Sequence, residues 1–236
     1  MTIPPLILLP GLLCDARLWA GLALEMKGIA HSVTADLTRD DNIDAMVDRV
    51  LADAPERFAL AGYSMGGIVA LHLAARAPER VSHLLILNST ARPDPDHRRE
   101  IRDRQVGEAR TGNLSRLLRE EMLPFYFGPD FVHRADLAAL VLSMGVEMGA
   151  DIFARQMRAL RDRADARPLL PAITCPTLVL AAEHDALCPV DRHEEIAAGL
   201  PDARLVVTGG VGHMAPLERP EALAAAIRPF LTGANP

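Results

Sequence analysis

The sequence predicts an α/β fold: a mostly parallel sheet of about six strands, covered by helices and carrying one helical insertion. Three observations predict it. Over the first 90 positions, short continuous apolar runs alternate with helix-period segments, a pattern that calls for parallel strands with helices on both faces. The alternation stops at Ala91 and resumes at Pro176, with only helix-period segments between. A chain of 236 residues that is 50% hydrophobic and 24% charged can bury a full core and is too apolar for disorder.

Pro5-Leu-Ile-Leu-Leu-Pro10 is an unbroken apolar run closed by Pro-Gly, as expected of a strand buried on both faces. Residues 17–27 have helical spacing, and His31 to Leu37 read as a second strand. Asn42 can cap a helix running to about Asp53, with Ile43, Met46, Val47 and Val50 on one face. Phe58 to Gly62 is a third strand, followed by a glycine-rich turn and a helix from Met65 that stops at Pro78. Val81 to Leu87 is a fourth strand. Within 91–171 the helical stretches are 96–110, 113–122, 130–148 and 150–164. The alternation returns with a strand at Pro176 to Ala181, a helix near 191–199, a strand at 204–208 and a helix from Pro220 to Leu231. Residues 1–90 and 172–236 are therefore expected to form one core, with 91–171 inserted as a helical cap.

Composition excludes several functions. The net charge is −6, and the 25 basic residues are 24 arginines and Lys27, with no sustained basic stripe. With only 4% aromatics as well, a nucleic-acid partner is not expected. The longest apolar runs, such as Leu6 to Leu9 and Leu84 to Leu87, are too short to cross a bilayer, so no membrane partner is expected. Met1-Thr-Ile-Pro-Pro5 has no charged n-region, so the expected location is the cytoplasm. Cys14, Cys175 and Cys188 are widely spaced and form no CxxC pair, against both a disulfide framework and a zinc site. No phosphate loop, dinucleotide fingerprint or metal-ligand cluster occurs, so neither cofactor nor metal is expected.

Chemistry concentrates in Gly62-Tyr-Ser64-Met-Gly-Gly67, directly after a strand and before a helix. A serine on such a turn projects its hydroxyl above the sheet edge, while glycines two residues on either side let neighbouring backbones approach. A serine hydroxyl needs a base. Gly209-Gly-Val-Gly-His213 places a histidine on a loop before the last helix, whereas His72 and His83 sit beside the sheet core, His97, His133 and His193 lie on charged helices, His31 opens a strand and His184 abuts the acid loop. An acid is expected after the strand ending at Ala181, where Asp185 can accept the imidazole N–H; Glu183 is the runner-up. The backbone N–H groups of Met65 and Leu12, the latter freed by Pro10-Gly11, are candidate oxyanion donors.

Pro10-Gly-Leu-Leu-Cys-Asp-Ala-Arg-Leu-Trp19, the Gly62–Gly67 turn, Pro176-Thr-Leu-Val-Leu with Asp185, and Gly212-His213 together resemble the α/β-hydrolase superfamily, in its small capped bacterial esterase and lactonase members. The likeness covers nearly the whole chain. Phe153-Ala-Arg-Gln-Met-Arg-Ala-Leu-Arg161 with Arg167-Pro168 resembles the cap-to-core return of that group. The order Ser64, Asp185, His213 is that superfamily's nucleophile–acid–base order. The resemblance implies an α/β-hydrolase fold and a cofactor-independent serine hydrolase. Two departures stand out: Pro10-Gly11 replaces the usual His-Gly, and the chain starts at what is usually the third strand, which implies a shortened sheet. Dehalogenases and epoxide hydrolases of this fold resemble one another in carrying aspartate at the turn, and dienelactone-hydrolase-like relatives carry cysteine; here it is Ser64. Cys14 and Cys188 are read as passive small hydrophobes.

The insertion holds Phe125, Phe127, Phe131, Phe153 and Tyr126 with Met122, Met144, Met148 and Met157. Phe125, Tyr126, Phe127 and Met144, with Met214 beside His213, are the candidate pocket residues. The insertion also carries 14 arginines against 13 acids, so most are solvated helix faces, with room for one that binds a substrate carboxylate. The expected partner is a small ester, lactone or thioester cleaved through an acyl-enzyme, and the oligomeric state is left open. The alternatives are proton abstraction or carbon–carbon cleavage with the same triad, as in menaquinone-pathway or ring-fission relatives, and a non-catalytic binding protein on the same scaffold.

Overall fold

The first strand, β1 (Leu6–Leu9), is buried at every position, as its unbroken apolar run requires. The structure is a computed structural model that describes residues 5–233; the segment 1–4, read above as free of a secretory signal, lies outside them. Asp15 caps a single helical turn, Ala16–Trp19, by accepting from the Arg17 N–H, and the turn runs into α1 (Ala20–Glu25). The second strand, β2 (Ser32–Thr34), is shorter than His31 to Leu37. It lies at the sheet edge with β1 as its sole neighbour, and Val33 stays exposed. The Asn42 side chain accepts from the Ala45 N–H at 2.8 Å to start α2 (Ile43–Asp53), whose buried face is Ile43, Met46, Val47 and Val50. Then follow β3 (Phe58–Tyr63), α3 (Met65–Arg76) and β4 (Val81–Leu87).

From β4 to the next strand the chain is helical, with α4 (Asp96–Glu108), α5 (Leu114–Leu117) and α6 (Ala135–Arg161). Gly149, at φ 80° and ψ 174°, breaks α6 in two, as the split between 130–148 and 150–164 anticipates. By length and hydropathy the whole α6 segment would suffice to cross a membrane. Neither piece approaches the roughly 20 residues a span needs. The second piece turns Phe153, Ala154, Met157, Ala159 and Leu160 into the interior.

The chain then completes β5 (Thr177–Ala182), α7 (Val190–Gly199), β6 (Ala203–Thr208), α8 (Ala215–Glu218) and α9 (Pro220–Thr232). All six strands are parallel, in the order β2-β1-β3-β4-β5-β6. One apolar layer joins α2 and α3 to the sheet and a second joins α1 and α9 to its other face. Strand order reverses beside β1, with β2 on one side and β3 on the other. A crevice at such a switch point opens at the carboxyl ends of the strands, the usual ligand position in α/β sheets.

Candidate active site

Ser64 occupies the turn from β3 into α3 with φ 52° and ψ −115°, backbone that costs a non-glycine residue about 1–3 kcal/mol. Its surroundings hold it there. The Ser64 N–H donates to the Leu87 carbonyl at 2.9 Å, and the Ser64 carbonyl accepts from Gly67 N–H at 2.9 Å and Ser89 Oγ at 2.8 Å. A Cβ on Gly62 would strike the Gly66 carbonyl, and one on Gly66 would strike the Leu9 carbonyl. The glycines thus let the turn close tightly against β1.

The structure brings Ser64, His213 and Asp185 into one chain of hydrogen bonds. His213 Nε2 lies 3.0 Å from Ser64 Oγ, and His213 Nδ1 lies 2.8 Å from Asp185 Oδ2. An ionised Asp185 can only accept, so Nδ1 carries the proton and Nε2 is left to accept from the serine hydroxyl. Asp185 also accepts from the Asn88 side-chain amide at 2.9 Å, the Leu187 N–H at 2.9 Å and the Cys188 N–H at 2.8 Å. Burial alone would push its carboxyl up, but the charge and hydrogen bond of His213 and these donors outweigh burial and hold it below the usual carboxylate range. Glu183, the runner-up, is exposed, accepts from the Gly210 N–H at 2.9 Å and sits beside His184.

Leu12 and Met65 both face the cavity that contains Ser64, and among the described residues neither N–H donates to a protein acceptor. The next N–H, of Leu13, is taken by Gln156 Oε1 at 2.9 Å, while Gln156 Nε2 donates to the Leu37 carbonyl at 3.1 Å. Leu13 itself is left-handed at φ 53°. Gln156, wholly buried on the second piece of α6, therefore braces the loop that presents Leu12.

Four further side chains support the site, and the sequence reading did not assign them. Asn88, left-handed at φ 47°, holds Asp185. Ser89 buttresses the Ser64 carbonyl and gives its N–H to His193 Nε2 at 3.0 Å. His193, read as one more histidine on a charged helix, is wholly buried, and burial pushes its pKa down. With Nε2 accepting, its Nδ1 donates to the Pro189 carbonyl at 3.2 Å. Buried Glu218 accepts from the N–H groups of Gly128 and Gly212, both at 2.9 Å, and ties the segment after Tyr126 to the His213 loop.

The cavity measures about 280 Å³, and Ser64, His213, Leu12, Met65, Phe125, Tyr126 and Met214 line it. Phe127 and Met144 do not. Phe127 packs into the layer with α1 and α9, and Met144 is fully buried in that same layer because α6 turns it inward. Tyr63 donates to the His213 carbonyl at 2.9 Å, its ring 5.3 Å from the imidazole. Burial pushes the Cys14 thiol up to about 12 and Cys188 well above the ordinary thiol range, so both are neutral at pH 7. Asp185, Cys188 and His213 have ligand atoms within 4.8 Å of one another, spacing that could suit a metal ion. The Asp185 carboxylate and His213 Nδ1 already bond to each other, however, and the thiol resists ionisation.

Residues 6–226 match the Alpha/beta hydrolase family. A pimeloyl-[acyl-carrier protein] methyl ester esterase of Neisseria meningitidis is 30% identical over 222 residues, spanning 91% of this chain and 69% of that protein. Among solved structures, a malate-bound thermophilic esterase from Thermogutta terrifontis superposes with a TM-score of 0.91 at 26% identity, covering 100% of this chain and 92% of that one. The enol-lactonase from Burkholderia xenovorans LB400 superposes with a TM-score of 0.85 at 25% identity, covering 97% and 92% respectively.

Proposed function

The chain belongs to the alpha/beta hydrolase family and is an ester-acting hydrolase; from that premise we propose that it cleaves small carboxylic esters through an acyl-enzyme on Ser64. The observation that carries the reading is the hydrogen-bonded run from Ser64 Oγ through His213 to Asp185, beside two backbone N–H groups with no acceptor among the described residues. As Ser64 Oγ attacks the ester carbonyl, His213 Nε2 takes its proton, and the ionised Asp185 stabilises the imidazolium. Charge on the carbonyl oxygen is met by the Leu12 and Met65 N–H groups, each worth about 3–4 kcal/mol of barrier. The imidazolium returns its proton to the leaving alkoxide. Water, deprotonated by the same nitrogen, then releases the acid.

In this reading residues 91–171 act as a cap that shapes the substrate cavity, while 1–90 and 172–236 supply the chemistry. Lactones and thioesters present the same carbonyl and are candidate substrates too.

The test pairs fluorophosphonate labelling with a panel of p-nitrophenyl esters, lactones and acyl thioesters. The expected result is turnover with a single adduct on Ser64, because only an activated serine reacts quickly. An adduct on Ser64 with no turnover across the panel would instead favour proton abstraction or carbon–carbon cleavage by the same residues. No adduct and no turnover would favour a binding protein.

A further inference from the structure

The cavity that holds Ser64 and His213 is also lined by Asp94, Arg98, Arg102, Glu121 and Arg163. Arg98, Arg102 and Gln105 stand at i, i+4 and i+7 on α4, one face of a helix, and all three point to the cavity. Glu121 is already neutralised by Arg104 at 2.6 Å, with Gln105 donating to it at 3.3 Å. Asp94, almost wholly buried, is shared between Arg102 Nε and Arg163 Nη1, the latter at 2.7 Å. Arg102 spends one Nη1 N–H on the Met157 sulfur at 3.2 Å, a weak acceptor. Arg98, an exposed residue, makes no side-chain hydrogen bond or ion pair among the described residues, its backbone N–H donating to the Pro95 carbonyl at 2.9 Å.

Three guanidiniums therefore face one available carboxylate, and two of the three are largely withdrawn from water. A buried cation is costly unless matched by an anion. The mismatch is felt locally. Burial pulls the Arg163 pKa down, and although Asp94 opposes this, Arg102 adds to it. Burial pushes the Tyr126 hydroxyl up, and the charges of Arg102 and Arg98 pull against it.

We propose that Arg98, Arg102 and Arg163 form an anion subsite within the cavity, and that the preferred substrates are esters bearing a second, free carboxylate. Half-esters of short dicarboxylic acids and carboxylated lactones have that form. The planar guanidinium fork suits a carboxylate, and a cavity of about 280 Å³ suits a small molecule. The proposal rests on the ester-cleaving reading of Ser64. Arg102 and Arg163 alone could serve as a bolt between α4 and the segment after α6. The Arg98 guanidinium, on the same cavity wall and unpaired among the described residues, makes the group a site.

The test compares monomethyl glutarate with methyl 5-amino-5-oxopentanoate, which has the same size but a neutral amide in place of the carboxylate. The wild-type protein is expected to favour the charged ester at least tenfold in kcat/KM. Arg98→Gln should bring that ratio close to one, mainly through KM, while Arg99→Gln, an exposed neighbour outside the cavity lining, keeps it. Equal or better use of the neutral ester by wild-type protein overturns the subsite and leaves the esterase reading standing. If neither ester turns over, calorimetry with glutarate decides. Saturable binding weakened about tenfold by Arg98→Gln alone supports the subsite. No binding, or inorganic phosphate binding as tightly as glutarate, overturns it.

Discussion

Around Ser64 backbone groups do much of the holding, beside short buried side chains such as Asn88 and Ser89: Leu87 and Gly67 hold the turn, two N–H groups after Asp185 hold its carboxylate, and glycines allow carbonyls to close in. Along α4 and its neighbours, by contrast, long side chains hold one another. Arg104 bridges Glu108 and Glu121, Arg116 bridges Glu108 and Glu120, and Asp94 joins Arg102 to Arg163. Backbone attachment gives the geometry that bond-making requires, because strand ends do not move when a rotamer changes. Exposed side-chain pairs are individually weak, at about 0.2–1 kcal/mol, and salt screens them. They suit a wall that selects substrates rather than one that aligns reacting atoms.

The largest effect expected on the backbone-held side is at Ser64. Ser64→Ala should lower ester turnover by about 10⁴-fold or more, with the folded circular-dichroism spectrum retained. Next comes Asp185→Asn, expected to cost about 10⁴ in kcat, since an amide favours the wrong imidazole tautomer. Glu183→Gln should stay within about twofold. Steady-state kinetics on both variants break the assignment if their order is reversed.

On the side-chain-held side, Asp94→Asn leaves two largely buried guanidiniums unmatched. It should destabilise by about 3–5 kcal/mol, lowering the thermal midpoint by roughly 10 °C, while Ser64 still labels at 25 °C. Loss of labelling at that temperature would show that the two regions are less separable than their attachments suggest. Phe125→Ala, which opens the cavity wall, should shift the preferred acyl length upward, with each added buried CH₂ worth about 0.8 kcal/mol or fourfold in affinity. Phe127→Ala should lower the midpoint without moving that preference, because its ring packs outside the cavity. A chain-length series separates the two.

The smallest effect expected is acid sensitivity. Burial depresses the pKa of His72, His83 and His193 in the folded state. The unfolded chain therefore binds more protons below about pH 6.5, and stability should fall as pH drops from 7 to 5. Denaturant midpoints across that range should show the slope, and His193→Gln should flatten it.

The strands and most helix starts were legible because each is written locally. Asn42 announces α2, and the run Val81 to Leu87 gives the bounds of β4. Ser64, Asp185 and His213 stood out for the same reason, each on a short loop after a strand. Asn88, His193, Gln156 and Glu218 were not legible, since each acts on a partner the fold brings near, as Asn88 donates to Asp185 across 97 positions. The spacing of Arg98, Arg102 and Gln105 is visible in the sequence. It is lost among the other charged residues of 91–171, because nothing local says which helix face meets the cavity. β2 fell short of its predicted length because only Ser32 to Thr34 pair with β1, and pairing with a neighbour, not sequence alone, sets where a strand ends.

The break at Gly149 and the brace at Gln156 have a consequence for exchanging parts between relatives. Residues 150–163 travel in sequence with the helical insertion, yet Gln156 secures the loop carrying Leu12, and Ala159 and Leu160 pack with β-sheet side chains. A transplant that swaps everything between β4 and β5 would remove a support of the first strand's loop along with the wall of the cavity. The serviceable seam is Gly149, where the backbone already turns. A graft ending there exchanges the α4 side of the cavity wall and leaves Gln156 on the loop, so new substrate preference could be installed without disturbing that brace.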